Sequence, residues 1–347
     1  MLHPGSKSRR SPTIRTLALK TGVSVATISR YFTDAALVSE EVGTRIRQAA
    51  ERLGYQRRPV GRRRDRTRKC LGLLVSKRMR PDVVADPVLE EIRDRLGLLA
   101  ERAGFELVVL ESHGGADAPQ SEALFRKRLL FEGPLGVFLY GDWNPEGIPA
   151  YCRSRLLPVV RLNRSGGADL GVGIDQEALG YLATRHLLEL GHPRVALLMP
   201  SDAAEVGAAR RSGWLRAHRE FSALPGPEWA LPTAGIRQGY EALGRLIGPN
   251  FPESALFCNN DATALGAMRA LHEAGLSVPG KVSVVGCDDL ELAAHAIPSL
   301  TTVKQDFAGL CQGALDLMRS ALTAREGAPV SLALPPVLIR RESSGAP

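Results

Sequence analysis

Residues 13–55 read TIRTLALKTGVSVATISRYFTDAALVSEEVGTRIRQAAERLGY, and this stretch carries signals for three successive helices. Thr13 precedes apolar residues at helical spacing and is a candidate N-cap of the first helix. Gly22 suits the left-handed conformation that ends a helix, and Ser24 suits the cap of the next one. Ser39 is placed to cap a third helix. Two short helices joined by a tight glycine turn predict a helix-turn-helix unit over these residues.

The positive charge of the chain is concentrated in the same region. Residues 1–69 contain 17 Lys or Arg and 5 Asp or Glu, a net charge of +12, whereas the whole chain of 347 residues carries +8. Such segregation is typical of a phosphate-binding module joined to a near-neutral body. We expect a disordered basic tail over residues 1–12 and a basic hinge that contacts the DNA backbone over residues 56–69. An unstructured tether is the alternative for that hinge.

Composition argues against several other classes of protein. No run of about 18 apolar residues is present, so we expect no transmembrane helix. The stretch MLHPGSKSRRSP is basic but lacks the apolar segment of a secretory signal. The five cysteines form neither a CxxC pair nor a zinc-type spacing. They therefore indicate buried thiols in a reducing cytoplasm. We expect no metal and no cofactor.

From Cys70 onward, short apolar runs alternate with amphipathic helical segments. This alternation predicts parallel sheets with helices on both faces. The region is too long for one ordinary sheet, so two lobes are expected. The predicted fold class is therefore α/β, with a small all-α headpiece and a two-lobed body of doubly wound parallel sheets. In such folds a ligand binds at the carboxyl ends of the strands, often in a cleft between lobes.

Four segments in this order carry a resemblance to a known family. They are TIRTLALKTGVSVATISR (residues 13–30), HLLELGHPRVALL (His186–Leu198), NNDATALGAMRALHEAGLSVPGKVSVVGCDDL (Asn259–Leu290) and PSLTTVKQDF (Pro298–Phe307). Together they resemble the lactose-repressor/galactose-repressor family of bacterial transcription regulators. The resemblance implies a body similar to periplasmic sugar-binding proteins. It also implies an effector-gated regulator, more commonly a repressor, that binds double-stranded operator DNA with an inverted repeat as a homodimer. The implied effector is a sugar or sugar derivative, the implied targets are carbohydrate-related genes, and no membrane partner is implied.

The resemblance also implies a division of the body, whose chain should cross between the lobes three times. The crossings are expected near Asn163, near Thr302–Gln305 and near Ala328–Leu332. The first lobe then covers about 70–162 and 304–329, and the second about 163–303 and 330–342. Residues 343–347 are expected to form a tail.

Several residues match DNA-contacting positions of the family. Val25 and Ala26 match positions that face the major groove, where they offer apolar contact to thymine methyl groups, and Arg30 can reach a guanine edge or a phosphate. Phosphate contacts are expected from four hydroxyl side chains: Thr13, Ser24, Thr27 and Ser29. For Ser24, helix capping alone is the alternative.

The hinge departs from the family pattern, because Arg64 stands where a leucine that wedges into the minor groove is expected. We instead expect Arg62, Arg63 and Arg64 to bind phosphates or a narrow minor groove.

A second set of residues matches positions that line the ligand pocket of the family: Ser76, Tyr140, Asn163, Arg210, Asn260, Asp288 and Phe307. These types suit a polyol, since amides, carboxylates and guanidinium groups bind hydroxyls and an aromatic ring stacks on a sugar face. Asp261 is expected to cap the helix that follows it, while Asn260 faces the ligand. Asp289 is expected to cap or pair locally, and Phe307 has a place in the core as its alternative. Cys287 occupies a position where an aromatic residue is common, so stacking should matter less here.

Three other functions remain open at this point. No catalytic constellation is recognisable, and GVGIDQ (Gly171–Gln176) lacks the third glycine of a dinucleotide-binding fingerprint, so an enzyme is disfavoured. A sugar-binding protein would share the body but not the headpiece. A ligand-independent DNA-binding regulator with a degenerate pocket is the third alternative, and the absence of any ligand-induced change in melting temperature would identify it.

Overall fold

The computed structural model describes residues 14–33, 38–53, 69–77, 86–113, 119–141, 143–144, 146–163, 170–201, 204–248, 250–323 and 331–347. The first two of these segments belong to one compact unit and the others to a second. The first unit contains the helices α1 (Ile14–Thr21), α2 (Val25–Thr33) and α3 (Glu40–Leu53). Its core consists of Leu17, Ile28, Ile46 and Ala50. Each of the three helices contributes residues from one of its faces to this core.

The second unit alternates strands and helices along the chain. Its elements are β1 (Cys70–Lys77), α4 (Pro87–Arg102), β2 (Glu106–His113), α5 (Pro119–Glu132), β3 (Val137–Tyr140), α6 (Ile148–Ser154), β4 (Val159–Leu162), β5 (Leu170–Ile174), α7 (Gln176–Glu189), β6 (Ala196–Pro200), α8 (Ala204–Glu220), β7 (Glu228–Leu231), α9 (Ile236–Leu246), β8 (Ala255–Cys258), α10 (Asp261–Glu273), β9 (Ser283–Asp288), α11 (Glu291–His295), β10 (Thr301–Lys304), α12 (Phe307–Thr323), β11 (Ser331–Leu334) and β12 (Val337–Ile339). This alternation confirms the predicted α/β class.

Two six-stranded sheets organise the body into two lobes. The sheet of the first lobe has the strand order β11-β5-β4-β3-β1-β2, and all of its pairings are parallel. The sheet of the second lobe has the order β12-β10-β9-β8-β6-β7 and is parallel except for β12, which runs antiparallel to β10. Helix α12 packs on the first sheet, and α7 packs on the second. Helices thus cover the strands, as a parallel sheet requires.

Two of the three crossings lie elsewhere than the sequence predicts. The segment after Asn163 returns to the first sheet, since β5 pairs with β4 at Val160 and Leu170. The first crossing therefore follows Ile174. Strand β11 also belongs to the first sheet, so the third crossing falls between Leu334 and Val337. Apolar patterning predicts a buried strand, but only the backbone hydrogen bonds decide which sheet receives it.

The second crossing lies between Lys304 and Phe307, where the chain passes from β10 of the second sheet to α12 of the first lobe.

The last residues of the chain are built into the second lobe, so the predicted tail over residues 343–347 is wrong. Ser343 is fully buried, and its hydroxyl donates to the carbonyl oxygen of Val284 at 2.6 Å. The Thr301 amide donates to that hydroxyl at 2.9 Å. Farther along, the imidazole of His192 contacts the Gly345 carbonyl oxygen at 3.0 Å. The peptide groups in this part of the second lobe are thereby satisfied by the chain end.

The five cysteines, which all lie in described segments, are buried, and no disulfide joins them. Their predicted role as buried thiols is confirmed. Within the described segments, no helix has the length and apolar character needed to span a bilayer. No group of three His, Cys, Asp or Glu side chains in those same segments is placed to hold a metal ion.

Candidate functional site

One face of helix α2 packs into the core of the headpiece, and the opposite face is exposed. Ser24 accepts a hydrogen bond from the Thr27 amide at 3.1 Å, which caps the helix as predicted. Gly22, at φ +64°, makes the tight turn before it. Ile28 is completely buried in the core of the headpiece, whereas Val25 is 43% exposed and Arg30 is also exposed. The helix therefore offers Val25, Ala26 and Arg30 to a partner while Ile28 anchors it.

The other predicted DNA contacts are described only in part. The hydroxyls of Ser24 and Thr27 are 2.8 Å apart, so the cap of α2 presents two neighbouring oxygen atoms. Ser29 lies on α2, although the structure describes only its backbone. Thr13, Arg62, Arg63 and Arg64 lie outside the described residues.

In the body, five of the seven predicted effector residues lie at or just after the carboxyl ends of strands from the two sheets. Ser76 is the next-to-last residue of β1, Tyr140 ends β3, and Asn163 follows β4. From the second lobe, Asp288 ends β9 and Asn260 follows β8. These are the carboxyl ends of parallel strands, the edge at which such sheets bind ligands.

On the side of the first lobe, Tyr140 is held by a carboxylate that the sequence did not single out. Its hydroxyl donates to Oδ2 of Asp86 at 3.2 Å, while Oδ1 of Asp86 accepts from the Leu89 amide at 3.1 Å and caps α4. Burial, followed by the charge of Asp86, raises the pKa of Tyr140 well above its usual value. The phenol therefore stays protonated and remains a hydrogen-bond donor. An Asp directly before Pro87 was the sequence signal that could have identified this cap.

Arg210 is buried on α8, with only 5% of its surface exposed. Its Nε donates to Oε1 of Gln176 at 2.8 Å, and its Nη1 donates to the main-chain oxygen of Asn259. The backbone of Arg210 is fixed by close packing as well, because a Cβ on Gly180 of α7 would lie 2.0 Å from the Arg210 carbonyl oxygen. Arg210 is thus a positioned guanidinium within the body rather than a solvated helix residue.

Asp288 is equally buried and is held in an unusual backbone conformation. Its φ is +118°, which is strained for a residue with a side chain. Oδ1 accepts from Nε2 of Gln305 at 2.5 Å and from Sγ of Cys287 at 3.3 Å. Burial raises the pKa of Asp288 to about 6, and the positive charge of Arg210 limits the rise. The charge of Arg210 thus favours the carboxylate form of Asp288, which can accept hydrogen bonds.

Asp261 was expected to cap α10 and Asn260 to face the ligand, and the prediction of the cap is wrong. Asn260 has an extended backbone, and its Oδ1 accepts from the Thr263 amide at 2.9 Å, so it is Asn260 that caps α10. Asp261 is the first helical residue and is completely buried, where it accepts from the Thr302 hydroxyl at 2.6 Å. Burial, with a further contribution from Asp288, raises the pKa of Asp261 to about 8. The effector role of Asn260 stays a prediction.

Two further expectations have visible outcomes. Asp289 pairs with Arg341 at 2.5 Å and with Lys304 at 3.3 Å, so the expected local cap or pair is wrong and its partners are distant in sequence. Phe307 is 6% exposed and lies in the core of the first lobe, next to Leu310. The ring therefore follows its core alternative and packs at the start of α12.

Sequence reasoning missed the two glutamines that join these groups. Gln176 is the first residue of α7, and Gln305 lies in the second crossing; both are less than 10% exposed. Nε2 of Gln176 donates to Asn163 and to Gln305, each at 3.1 Å. The position of Gln176 two residues after the apolar strand β5 was the available signal, since residues at strand carboxyl ends face the cleft.

Comparison with known proteins agrees with this architecture. The model of the lacI family of bacterial regulatory proteins matches residues 13–58, and a periplasmic binding protein-like domain matches residues 184–344. The transcriptional regulator GalS of Salmonella typhimurium strain LT2 is 30% identical over 338 residues, which cover 95% of this chain and 96% of GalS.

Solved structures share the fold at lower identity. A dimeric lac repressor with a C-terminal deletion is 25% identical, with a TM-score of 0.70 over 80% of this chain and 100% of its own. The complex of the transcriptional regulator CelR with cellobiose is also 25% identical, with a TM-score of 0.67 over 96% of this chain and 99% of its own. The chain belongs to the lacI family of bacterial regulatory proteins and is a DNA-binding transcription regulator, with a helix-turn-helix headpiece and a periplasmic-binding-protein-like body.

Proposed function

We propose that this regulator is a cytoplasmic, effector-responsive repressor that binds an inverted-repeat DNA operator as a homodimer. Its proposed targets are carbohydrate-related genes. The observation that carries the proposal is the pairing of two features in one chain. The headpiece exposes Arg30 on a helix anchored by Ile28, and the two-lobed body buries Arg210 on α8 and Asp288 at the end of β9. A ligand that favours one position of the lobes can then shift operator affinity. We propose no catalytic role.

In the proposed DNA complex, α2 enters the major groove with Val25 and Ala26 against base methyl groups and Arg30 at a guanine edge or a phosphate. Ser24 and Thr27, whose hydroxyls lie side by side, bind a phosphate together with Thr13 and Ser29. Arg62, Arg63 and Arg64 add backbone or minor-groove contacts. The exposure of Val25 and Arg30 supports this assignment.

Binding to DNA fragments from upstream of its own and neighbouring genes tests this half of the proposal. Affinity should fall by roughly 10³–10⁵ between about 50 and 200 mM salt if about 6–10 phosphates are contacted. Arg30→Ala should weaken operator binding by about 1–3 kcal/mol. Arg245→Ala removes an exposed charge from the body and serves as the matched control. Equal losses of operator affinity in the two variants would mean that Arg30 acts only through its general positive charge, which would contradict its specific role.

In the proposed effector complex, the hydroxyls of a sugar or sugar derivative bind between the lobes. Asp288 accepts hydrogen bonds, Arg210 and Tyr140 donate them, and Ser76, Asn163 and Asn260 complete the polar set. Phe307 contributes through the core beneath the site rather than through an exposed ring. The cellobiose complex of CelR supports a saccharide as the class of ligand.

Thermal unfolding in the presence of a sugar panel tests the effector half. A specific sugar at 100 times its dissociation constant should stabilise the folded chain by about 2.7 kcal/mol. If no sugar stabilises the protein while operator binding is tight and selective, the chain is a ligand-independent regulator instead.

A further inference from the structure

The three crossings between the lobes lie side by side. Asp175 follows β5 in the first crossing, and its amide donates at 2.9 Å to the carbonyl oxygen of Leu334, the last residue of β11 before the third crossing. The next residue, Gln176, reaches Gln305 in the second crossing. Any change in the position of the lobes must pass through these segments, since they are the only chain connections between the two sheets in the described body. The groups that bind them to one another therefore bear directly on lobe movement.

The carboxamide of Gln176 stands at the centre of this region with its hydrogen-bonding capacity engaged. Nε2 donates to Oδ1 of Asn163 in the first lobe and to Oε1 of Gln305, both at 3.1 Å. Oε1 accepts from Nε of Arg210 in the second lobe at 2.8 Å. Only 7% of the residue is exposed, so water offers little replacement for these partners. One side chain thus joins the first lobe, the second lobe and a crossing.

Arg210 and Asp288, the two terminal residues of this network, determine the direction of its hydrogen bonds. Arg210 can only donate, so Gln176 must turn its oxygen toward Arg210 and its amide nitrogen toward the other two partners. The carboxylate of Asp288 can only accept, so Gln305 must turn its nitrogen toward Asp288 and its oxygen toward Gln176. The result is a directional chain from Arg210 through Gln176 and Gln305 to Asp288.

This polarity also decides which atoms a ligand meets. The Oδ1 atom of Asn163 accepts the hydrogen bond from Gln176, so the N–H groups of the Asn163 amide remain to donate to a ligand. Gln305 bonds to Oδ1 of Asp288, which leaves Oδ2 to accept. A sugar hydroxyl that binds these groups acts on the same side chains that Gln176 holds.

We propose that Gln176 is a positioning residue that couples effector occupancy to the arrangement of the two lobes. The proposal rests on the effector-gated function argued above. Gln176 holds Asn163, Arg210 and Gln305 in one arrangement. Hydrogen bonds from the effector to Asn163, Arg210 and Asp288 redistribute this network, and the crossings respond because Gln176 and Gln305 belong to them. The network is the physical element that the cleft and the lobes share.

Gln176→Glu is the sharpest test, because it keeps the shape and the acceptor for Arg210 but removes both donated hydrogen bonds. Gln312→Glu is the matched control, since Gln312 is exposed on α12 and bonds only to Asp316 among the described contacts. Hydrogen exchange of peptides that cover the three crossings should be at least threefold faster in Q176E than in Q312E. The effect of D-ribose, D-galactose, D-glucose or cellobiose on operator affinity should fall at least fivefold in Q176E and should be unchanged in Q312E.

Two further variants keep the test decisive. If Q176E does not fold, Gln176→Asn retains the amide but is one methylene too short to reach all partners, and the same changes are expected. Asn163→Asp keeps the acceptor for Gln176, so it should weaken sugar binding without faster exchange at the crossings. A residue with a merely structural role would not separate these readouts.

The outcomes distinguish the two proposals. A wild-type protein that responds to a sugar, together with a Q176E variant that responds equally and exchanges at the control rate, would overturn the role of Gln176 alone. A wild-type protein whose operator affinity ignores every sugar of the panel would overturn effector gating, and the coupling role with it. In that case the exchange rates still decide whether Gln176 holds the crossings.

Discussion

Asp288 illustrates how the environment of a single residue prepares it for a ligand. The side chain is buried, its backbone is strained, and the two described bonds to the carboxylate fall on Oδ1. Burial opposes ionisation while Arg210 favours it, and the balance raises the pKa to about 6. An ionised carboxylate accepts a stronger hydrogen bond from a hydroxyl than a neutral carboxyl does.

This balance predicts a pH-dependent effector response. Above a pKa of about 6 Asp288 is ionised and accepts sugar hydroxyls, and below it the protonated group accepts them less well. The rise in melting temperature caused by a binding sugar should therefore shrink as the pH falls from 8 to 5. Asp288→Asn should give a smaller rise that depends less on pH, because only Asp261 of the two neighbouring carboxyls then remains to titrate. Asp289→Asn, which breaks the pair with Arg341, should lower the melting temperature overall but keep the pH dependence.

At the scale of single elements, the N-terminal half of α7 both supports the fold and places the candidate site. Asp175 caps the helix through a hydrogen bond from the Ala178 amide at 2.9 Å. Gln176 and Gly180 are four residues apart and so share one face, which meets α8 at Arg210. Sequence periodicity predicts a helix here, but it does not predict that its first residue joins both lobes.

The contact between α7 and α8 gives a prediction about stability. In Gly180→Ala the new methyl group would meet the Arg210 carbonyl oxygen at 2.0 Å, and a backbone atom cannot turn aside. We expect a loss of about 1–3 kcal/mol in the free energy of unfolding. Gly244→Ala on α9 is the control, because nothing lies within 4 Å of its added carbon. Urea unfolding should show G244A unchanged or up to about 1 kcal/mol more stable; a G180A variant that behaves in the same way would refute the close contact.

At the scale of the whole molecule, four large apolar side chains of the second lobe are exposed on or just after the two helices that flank α10. They are Ile236 (50% exposed), Tyr240 (39%), Leu292 (59%) and Ile297 (98%). The first three lie on α9 and α11, which both pack against α10, and Ile297 follows α11. Apolar groups of this kind mark interaction sites, and a two-fold symmetric dimer is the commonest way to cover them. The homodimer proposed above would cover these side chains with a second copy of the chain.

This surface predicts the effect of a charge at the proposed dimer interface. Ile297→Asp should convert a dimer into a monomer in sedimentation experiments at micromolar concentration and should weaken binding to an inverted repeat, because a monomer reaches one half-site at a time. Leu224→Asp places the same charge at a residue that is 82% exposed elsewhere on the lobe and should leave the dimer intact. A dimeric I297D variant would place the interface on another surface.

The sequence by itself determined the features that depend on neighbouring residues. Ser24 and Gly22 mark the helix-turn-helix because caps and turns use groups only a few positions away. The alternation from Cys70 onward predicted the α/β body because each strand and helix carries its own periodicity. The excess of positive charge over residues 1–69 likewise needs no fold to be recognised.

Only the tertiary structure decided how these elements are joined. It placed β5 and β11 in the first sheet, bound Ser343 into the second lobe, and brought Gln176 to Gln305 across 129 positions of sequence. The physical reason is that strand pairing and the burial of polar groups depend on partners distant in the chain. A pattern of apolar residues shows that a segment is buried, but the hydrogen bonds available in three dimensions determine which partner it meets.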